Sequence, residues 1–123
     1  MPIISIEVPE STAREIKLRI RHDVKTAVLK TLAPKESKYD YVSVREVVGE
    51  VGDGIPVVTV DLRPGRPPDR KKALVDAISK ILFTELSIKA EDIYVLFRET
   101  PAEHHYTGGS PLPDWVPASE LDT

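Results

Sequence analysis

The sequence of 123 residues contains no cysteine, which excludes disulfide bonds, thiolate catalysis and cysteine-ligated metal sites. It has no apolar run near the roughly 20 residues that cross a bilayer, and residues 1–10 lack the basic region and long apolar core of a signal peptide. The formal net charge is only −3, and there is no basic stripe with interleaved aromatic residues. We therefore expect a cytoplasmic protein that binds neither nucleic acid nor a membrane.

What the sequence does contain is a regular order of apolar patterns. We predict strands at Ile3 to Val8, Asp40 to Val48, Pro56 to Leu62 and Ile93 to Phe97, the last ending near Glu99, with a helix after the first strand and another after the third. A capping-box pattern from Thr12 to Glu15 predicts the start of the first helix, and Pro68 suits the start of the second. The length suits a single domain, residues 1–123.

The two halves of the chain are similar to each other. Pro56-Val-Val-Thr-Val-Asp-Leu62 matches Pro2-Ile-Ile-Ser-Ile-Glu-Val8, and Tyr94-Val-Leu-Phe-Arg-Glu99 matches Tyr41-Val-Ser-Val-Arg-Glu46. We therefore divide the chain into repeat one (2–49), repeat two (55–100) and a C-terminal arm (101–123). Two β-α-β repeats predict an α+β fold, with one four-stranded sheet and both helices on the same face.

These repeats, together with four local features, resemble the tautomerase superfamily. The features are Pro2 before an apolar strand, the pair Gly65-Arg66, the spacing of Arg63 and Arg66, and the glycine-bearing segment His104 to Gly109. The short members of the superfamily are 4-oxalocrotonate tautomerases. Its longer, duplicated members include malonate semialdehyde decarboxylase, cis-3-chloroacrylic acid dehalogenase and macrophage migration inhibitory factor. The resemblance implies a homotrimer that needs no cofactor and acts on a small carboxylate substrate.

Pro2 is the first candidate catalytic residue that the resemblance implies. Removal of Met1 would leave a secondary amine, and an α-amino group ordinarily titrates near about 8. Burial and nearby cations disfavour the charged form, so this amine would be a base suited to proton transfer beside a carbonyl. The alternative is structural, because a proline at the start of a strand spares a ladder hydrogen bond.

Arg63 and Arg66 are the candidate carboxylate clamp, because a guanidinium bonds a carboxylate in two places. They would also stabilise an enolate formed from a 2-keto acid, so we assign them both catalytic and substrate-binding roles. Tyr94 is a further candidate substrate-binding residue. The alternative for the arginines is a solvated loop.

His105 is the candidate second acid or base, or a pocket residue in the place of a family aromatic. A surface role for His105 stays open, and no role is assigned to His104. Adjacent histidines in a loop lack further ligands at a suitable spacing, so we expect no metal site.

Some family residues are missing at their expected positions. The decarboxylase aspartate would fall at Ser37, with Asp40 as the nearest acid. The water-activating glutamate of the dehalogenase would fall near Thr107, and its tyrosine near Leu96. Tautomerisation is therefore the simplest activity that the resemblance implies, with decarboxylation or dehalogenation as further options.

We predict a cofactor-independent tautomerase or isomerase that uses Pro2 as acid or base. Two alternatives from other classes remain. One is a non-catalytic trimeric protein that binds a partner or metabolite on the same scaffold, since fold does not determine function. The other is a ferredoxin-like regulatory domain, which a double β-α-β pattern also permits but which explains neither Pro2 nor the paired arginines.

Overall fold

A computed structural model describes residues 2–32 and 40–115 of the chain. Ser37, considered above as the position of a family aspartate, lies outside the described residues. The strands and helices, in chain order, are β1 (Ile3–Pro9), α1 (Arg14–Thr31), β2 (Tyr41–Val47), β3 (Glu50–Val51), β4 (Gly54–Ile55), β5 (Val57–Leu62), α2 (Pro68–Leu86), β6 (Tyr94–Glu99), β7 (Tyr106–Thr107) and β8 (Ser110–Pro111).

The main sheet has four strands in the order β2-β1-β5-β6. Strands β1 and β2 are parallel, as are β5 and β6, whereas the central pair β1 and β5 is antiparallel. The same hydrogen bond begins each parallel pair: Tyr41 N donates to the Pro2 carbonyl and Tyr94 N to the Pro56 carbonyl, both at 3.1 Å. The predicted α+β fold of two β-α-β repeats is confirmed, and the two repeats run in opposite directions across the sheet.

Both helices cover one face of this sheet. Alternate strand residues point toward the helices, as the period of two along a strand requires. The fully buried aliphatic residues on that side include Ile4, Ile6 and Val8 of β1, Val58, Val60 and Leu62 of β5, Ile20, Val24 and Val28 of α1, and Leu74, Ile78 and Leu82 of α2. Burial of each such side chain contributes about 1.5–3 kcal/mol, so the helical apolar stripes hold the two repeats together.

The start of α1 differs from the prediction. The helix begins at Arg14 with Ala13 at its N-cap and no side-chain cap. The Thr12 hydroxyl instead donates to the Pro9 carbonyl at 2.6 Å. The capping box was wrong because Thr12 closes the turn that leaves β1.

The opposite face of the sheet is uncovered by any described segment and carries large apolar side chains. Ile3, Tyr41, Tyr94 and Leu96 are exposed there, on the strand positions that alternate with the core residues. Exposed apolar areas of this kind mark contact surfaces. Within the described residues, neither helix is long and apolar enough to cross a membrane.

Candidate active site

Pro2 and Arg63 lie at the same end of the sheet because β1 and β5 are antiparallel. Ile3 pairs with Asp61 in the central register, so Pro2, just before β1, and Arg63, just after β5, both flank this pair. Pro2 is buried, and its carbonyl accepts the hydrogen bond from Tyr41. The antiparallel pairing thus places Pro2 of repeat one and Arg63 of repeat two at the same end of the sheet.

Arg63 and Arg66 are buried, with 7% and 3% of their surface exposed. Arg63 donates through Nη1 to the Pro113 carbonyl, and Arg66 donates through Nε to the Leu32 carbonyl at 2.7 Å. Arg63 Nε and both Nη atoms of Arg66 have no hydrogen-bond partner among the described residues. Leaving a buried donor without a partner costs about 1–3 kcal/mol. These donors are therefore suited to an anionic ligand, and the alternative of a solvated loop is inconsistent with their burial.

Asp40 joins this cluster, although the sequence assigned it no role. It immediately precedes Tyr41, the residue bonded to Pro2, and only 2% of its surface is exposed. Neither carboxylate oxygen has a hydrogen-bond partner among the described residues. Asp40 and Arg66 are close enough to affect each other's pKa, so the site combines two buried guanidinium groups with one buried carboxyl group.

Burial dominates the electrostatics of the site. It raises the pKa of the Asp40 carboxyl to about 6, although nearby cations, including Lys25 and Arg66, oppose this shift. Burial also lowers the pKa of Arg66 to about 10, and the positive charge of Arg63 adds to the lowering. The pKa of Arg63 is lowered by burial as well. Both guanidinium groups thus stay charged at neutral pH, and Asp40 changes its charge between pH 5 and 7.

His105 lies in the segment that follows β6. Its Nε2 is 2.6 Å from the Thr100 hydroxyl, and its carbonyl accepts a bond from Leu112 N at 2.8 Å. Thr100 N in turn donates to the Leu62 carbonyl, next to Arg63. His105 therefore ties the arm to the end of β5, and its acid–base role stays a prediction.

The glycine-bearing segment forms a hairpin of β7 and β8, which are antiparallel and joined by Gly108 and Gly109. His104 is exposed in the short turn before this hairpin. No group of three or more His, Cys, Asp or Glu residues suited to a metal ion occurs in 2–32 and 40–115.

Tyr94 is not brought to Pro2 within one chain. It starts β6, pairs with Val57 and lines a cavity of about 240 Å³ beside Pro56. This is the opposite end of the sheet from Pro2, about 20 Å away along a strand of seven residues at 3.3 Å per residue. Tyr94 has 64% of its surface exposed.

Trp115 is a residue of this site that the sequence patterns do not identify. Its ring centroid lies 4.6 Å from Arg66 Cζ and 5.6 Å from Arg70 Cζ, within the range of cation–π interactions. A single tryptophan in a segment without periodicity does not predict such a contact. The Leu32 carbonyl, at the end of α1, was equally impossible to identify from side-chain patterns.

Several solved structures have the same fold as this chain. A macrophage migration inhibitory factor-like protein from Entamoeba histolytica is 21% identical to this chain, with a TM-score of 0.77, over 90% of this chain and 98% of its own. A native fused 4-OT is 19% identical, with a TM-score of 0.76, over 98% and 99%. A malonate semialdehyde decarboxylase is 15% identical, with a TM-score of 0.67, over 86% and 90%. These neighbours define the class as the tautomerase and migration inhibitory factor fold.

Sequence comparison identifies the family. The family described as "Tautomerase enzyme" matches residues 56–114, which are repeat two and the beginning of the arm. Two probable tautomerases of Listeria monocytogenes are each 33% identical over 55 residues, covering 45% of this chain and 90% of the relative. The chain belongs to the tautomerase superfamily. Its sequence relatives correspond to one repeat, and its structural neighbours extend over both.

Proposed function

We propose that this protein is a cofactor-independent tautomerase that moves a proton at the carbon next to the carbonyl of a small 2-oxo acid. The observation that carries the proposal is the set of buried guanidinium donors without partners, at the sheet end where Pro2 lies. A carboxylate is the ligand whose two oxygens match the paired Nη atoms of Arg66. Membership of the tautomerase superfamily supports the reaction class.

In the proposed reaction the unprotonated Pro2 nitrogen, freed by removal of Met1, takes the α proton. The carbon–hydrogen bond breaks, a nitrogen–hydrogen bond forms, and the electron pair moves onto the carbonyl oxygen as an enolate. Arg66 holds the carboxylate, and the Nε–H of Arg63 stabilises the enolate, because fixed donors in a dry site act most strongly on developing charge. Reprotonation of the enolate on oxygen gives the enol, and His105 is the proposed second acid in that step.

The test is ketonisation of phenylenolpyruvate, followed by loss of enol absorbance, with protein whose amino terminus has been verified by mass spectrometry. We expect enzymatic turnover that saturates with substrate. A correctly processed and folded protein that is inactive toward several 2-oxo acids would contradict the proposal. That result would favour the alternative of a non-catalytic binding protein.

A homotrimer is the proposed assembly, and the uncovered sheet face is its proposed contact surface. One structural neighbour, a fused 4-OT with a TM-score of 0.77 and 18% identity, is described as an asymmetric trimer. In such an assembly Tyr94 would bind substrate in the active site of a neighbouring subunit, because it is distant from Pro2 in its own chain.

Leu96→Glu is expected to dissociate the trimer, because it buries a charge in the proposed apolar contact. Light scattering should then give a mass close to the 13.7 kDa of one chain, in place of three times that value. Leu29→Glu is the matched control, since Leu29 is 42% exposed on α1 and Leu96 is 39% exposed on the sheet. Equal masses for the two variants would contradict the assignment of the contact face.

Asp40→Asn is expected to stabilise the protein at pH 7.5. The folded-state pKa of Asp40 is raised to about 6 from an ordinary 3.8, so its stabilising contribution is complete below about pH 4 and is lost as the pH rises through 6. At pH 7.5, removing the ionised carboxylate should raise the free energy of unfolding by about 1–2 kcal/mol and Tm by about 3–8 °C. At pH 4 the substitution should change both quantities little.

Differential scanning fluorimetry at both pH values measures this difference. Asp23→Asn, an exposed position on α1, is the matched control and should shift Tm by less than about 2 °C at either pH. A Tm gain for Asp40→Asn that is equal at pH 4 and pH 7.5 would contradict the assignment of a raised pKa.

A further inference from the structure

The guanidinium of Arg66 is held on two sides. Its Nε edge donates to the Leu32 carbonyl at 2.7 Å. The centroid of the Trp115 ring lies 4.6 Å from its Cζ, so the indole packs against the planar group. The remaining edge, formed by Nη1 and Nη2, is buried and without a hydrogen-bond partner among the described residues. The bidentate edge is thus the part of the guanidinium that lacks a hydrogen-bond partner among the described residues.

The chain around Trp115 is fastened to the same site by independent contacts. The Pro113 carbonyl accepts the hydrogen bond from Arg63, and Leu112 N donates to the His105 carbonyl. Gly65 has a φ of +121°, a conformation that L side chains rarely adopt. A Cβ there would meet Trp115 Cε3 at 3.6 Å, an ordinary contact, so backbone conformation is the reason for glycine at this turn.

We propose that Trp115 is a positioning residue of the carboxylate site, which holds the Arg66 guanidinium so that its two Nη atoms face the substrate. The inference rests on the proposed function. A long arginine side chain has many rotamers, and fixing it in advance removes an entropic cost from binding. The indole also keeps water from one face of the guanidinium, which strengthens a charge-assisted bond to a carboxylate. Trp115 therefore acts on substrate binding through Arg66 and touches no reacting atom.

Trp115→Leu should raise KM for phenylenolpyruvate about three- to thirtyfold, the range of a desolvated cation–π contact. kcat should change by less than about twofold, because Trp115 acts on carboxylate binding alone. Trp115→Phe should keep KM within about threefold of that of the unmodified protein, since a phenyl ring also packs on a guanidinium. Tyr106→Leu is the control, because Tyr106 is 65% exposed in the hairpin and should leave KM unchanged.

A double-mutant cycle with Arg66→Gln separates positioning from general stability. The loss of kcat/KM caused by Trp115→Leu should shrink to less than about twofold when Arg66 is already replaced. If Trp115→Leu costs the same factor in both backgrounds, or lowers kcat with KM unchanged, the inference is overturned.

Binding is also measurable without turnover, because Trp115 is the only tryptophan in the chain. Titration with malonate, a carboxylate that absorbs no excitation light, should change its fluorescence until saturation. The neutral analogue malonamide should not, and Arg66→Gln should abolish the malonate response. Absence of a saturable response in the unmodified protein would overturn the inference.

The two proposals fail in different ways. A protein that responds to malonate but is inactive toward 2-oxo acids would refute the proposed function and support the inference on Trp115. An active protein in which Trp115→Leu leaves KM within twofold of the unmodified value would refute the inference and leave the proposed function intact.

Discussion

Pro2→Ala is expected to lower kcat/KM for phenylenolpyruvate about 10²- to 10⁴-fold, the usual contribution of a general acid or base. The ring of an amino-terminal proline fixes the direction of the nitrogen lone pair, and the replacement amine of alanine rotates freely. Pro2 is buried, and its carbonyl accepts a hydrogen bond from Tyr41 N, so its backbone is fixed at the start of β1. The measurement is steady-state kinetics on protein whose amino-terminal residue has been identified.

The matched control is Pro9→Ala. Pro9 ends the same strand that Pro2 precedes, about 20 Å away at 3.3 Å per residue. Its replacement should change kcat/KM by less than about threefold. Similar losses for the two variants would show that proline matters to the strand and not to proton transfer.

Arg66→Gln is expected to lower kcat/KM for phenylenolpyruvate about 10²- to 10³-fold. The substitution removes two charge-assisted donors that are buried and unpartnered, and hydrogen bonds to charged groups contribute about 1.5–3 kcal/mol each. In the proposed reaction these donors hold the carboxylate, and Arg63 stabilises the enolate. The loss should therefore appear mainly in KM.

The methyl ester of phenylpyruvate tests the assigned role, because it carries the same reacting carbon without the carboxylate charge. Arg66→Gln should reduce turnover of the ester by less than about tenfold. Arg19→Gln, on the exposed side of α1 and paired with Glu85, should leave both substrates unaffected. An equal loss on acid and ester would contradict a carboxylate clamp.

Much of the fold was predictable because two periodic signals are strong in this chain. Leu74, Ile78 and Leu82 recur at helical spacing in α2, and all three are fully buried. The repeated motifs that begin at Pro2 and Pro56 predicted two β-α-β units. In each unit the proline carbonyl accepts a hydrogen bond from the backbone N–H of a tyrosine. These features are local, so sequence spacing reports them directly.

The candidate site was predictable only in part, because it depends on contacts between distant segments. Arg63 and Arg66 were identified through the resemblance to the tautomerase superfamily, and their burial supports a ligand role. The placement of Tyr94 away from Pro2 follows from the antiparallel pairing of β1 and β5, which repeat similarity alone does not reveal. The packing of Trp115 on Arg66 and the burial of Asp40 arise from aperiodic segments, where no pattern encodes the neighbour.

The most direct test of the central claim compares two forms of one protein in the phenylenolpyruvate assay. One form has Pro2 as its verified first residue, and the other keeps an added residue before Pro2, so that its nitrogen is an amide without basicity. Our proposal predicts saturable catalysis by the first form and a rate at least about 10²-fold lower for the second. Equal rates for the two forms would contradict proton transfer by Pro2.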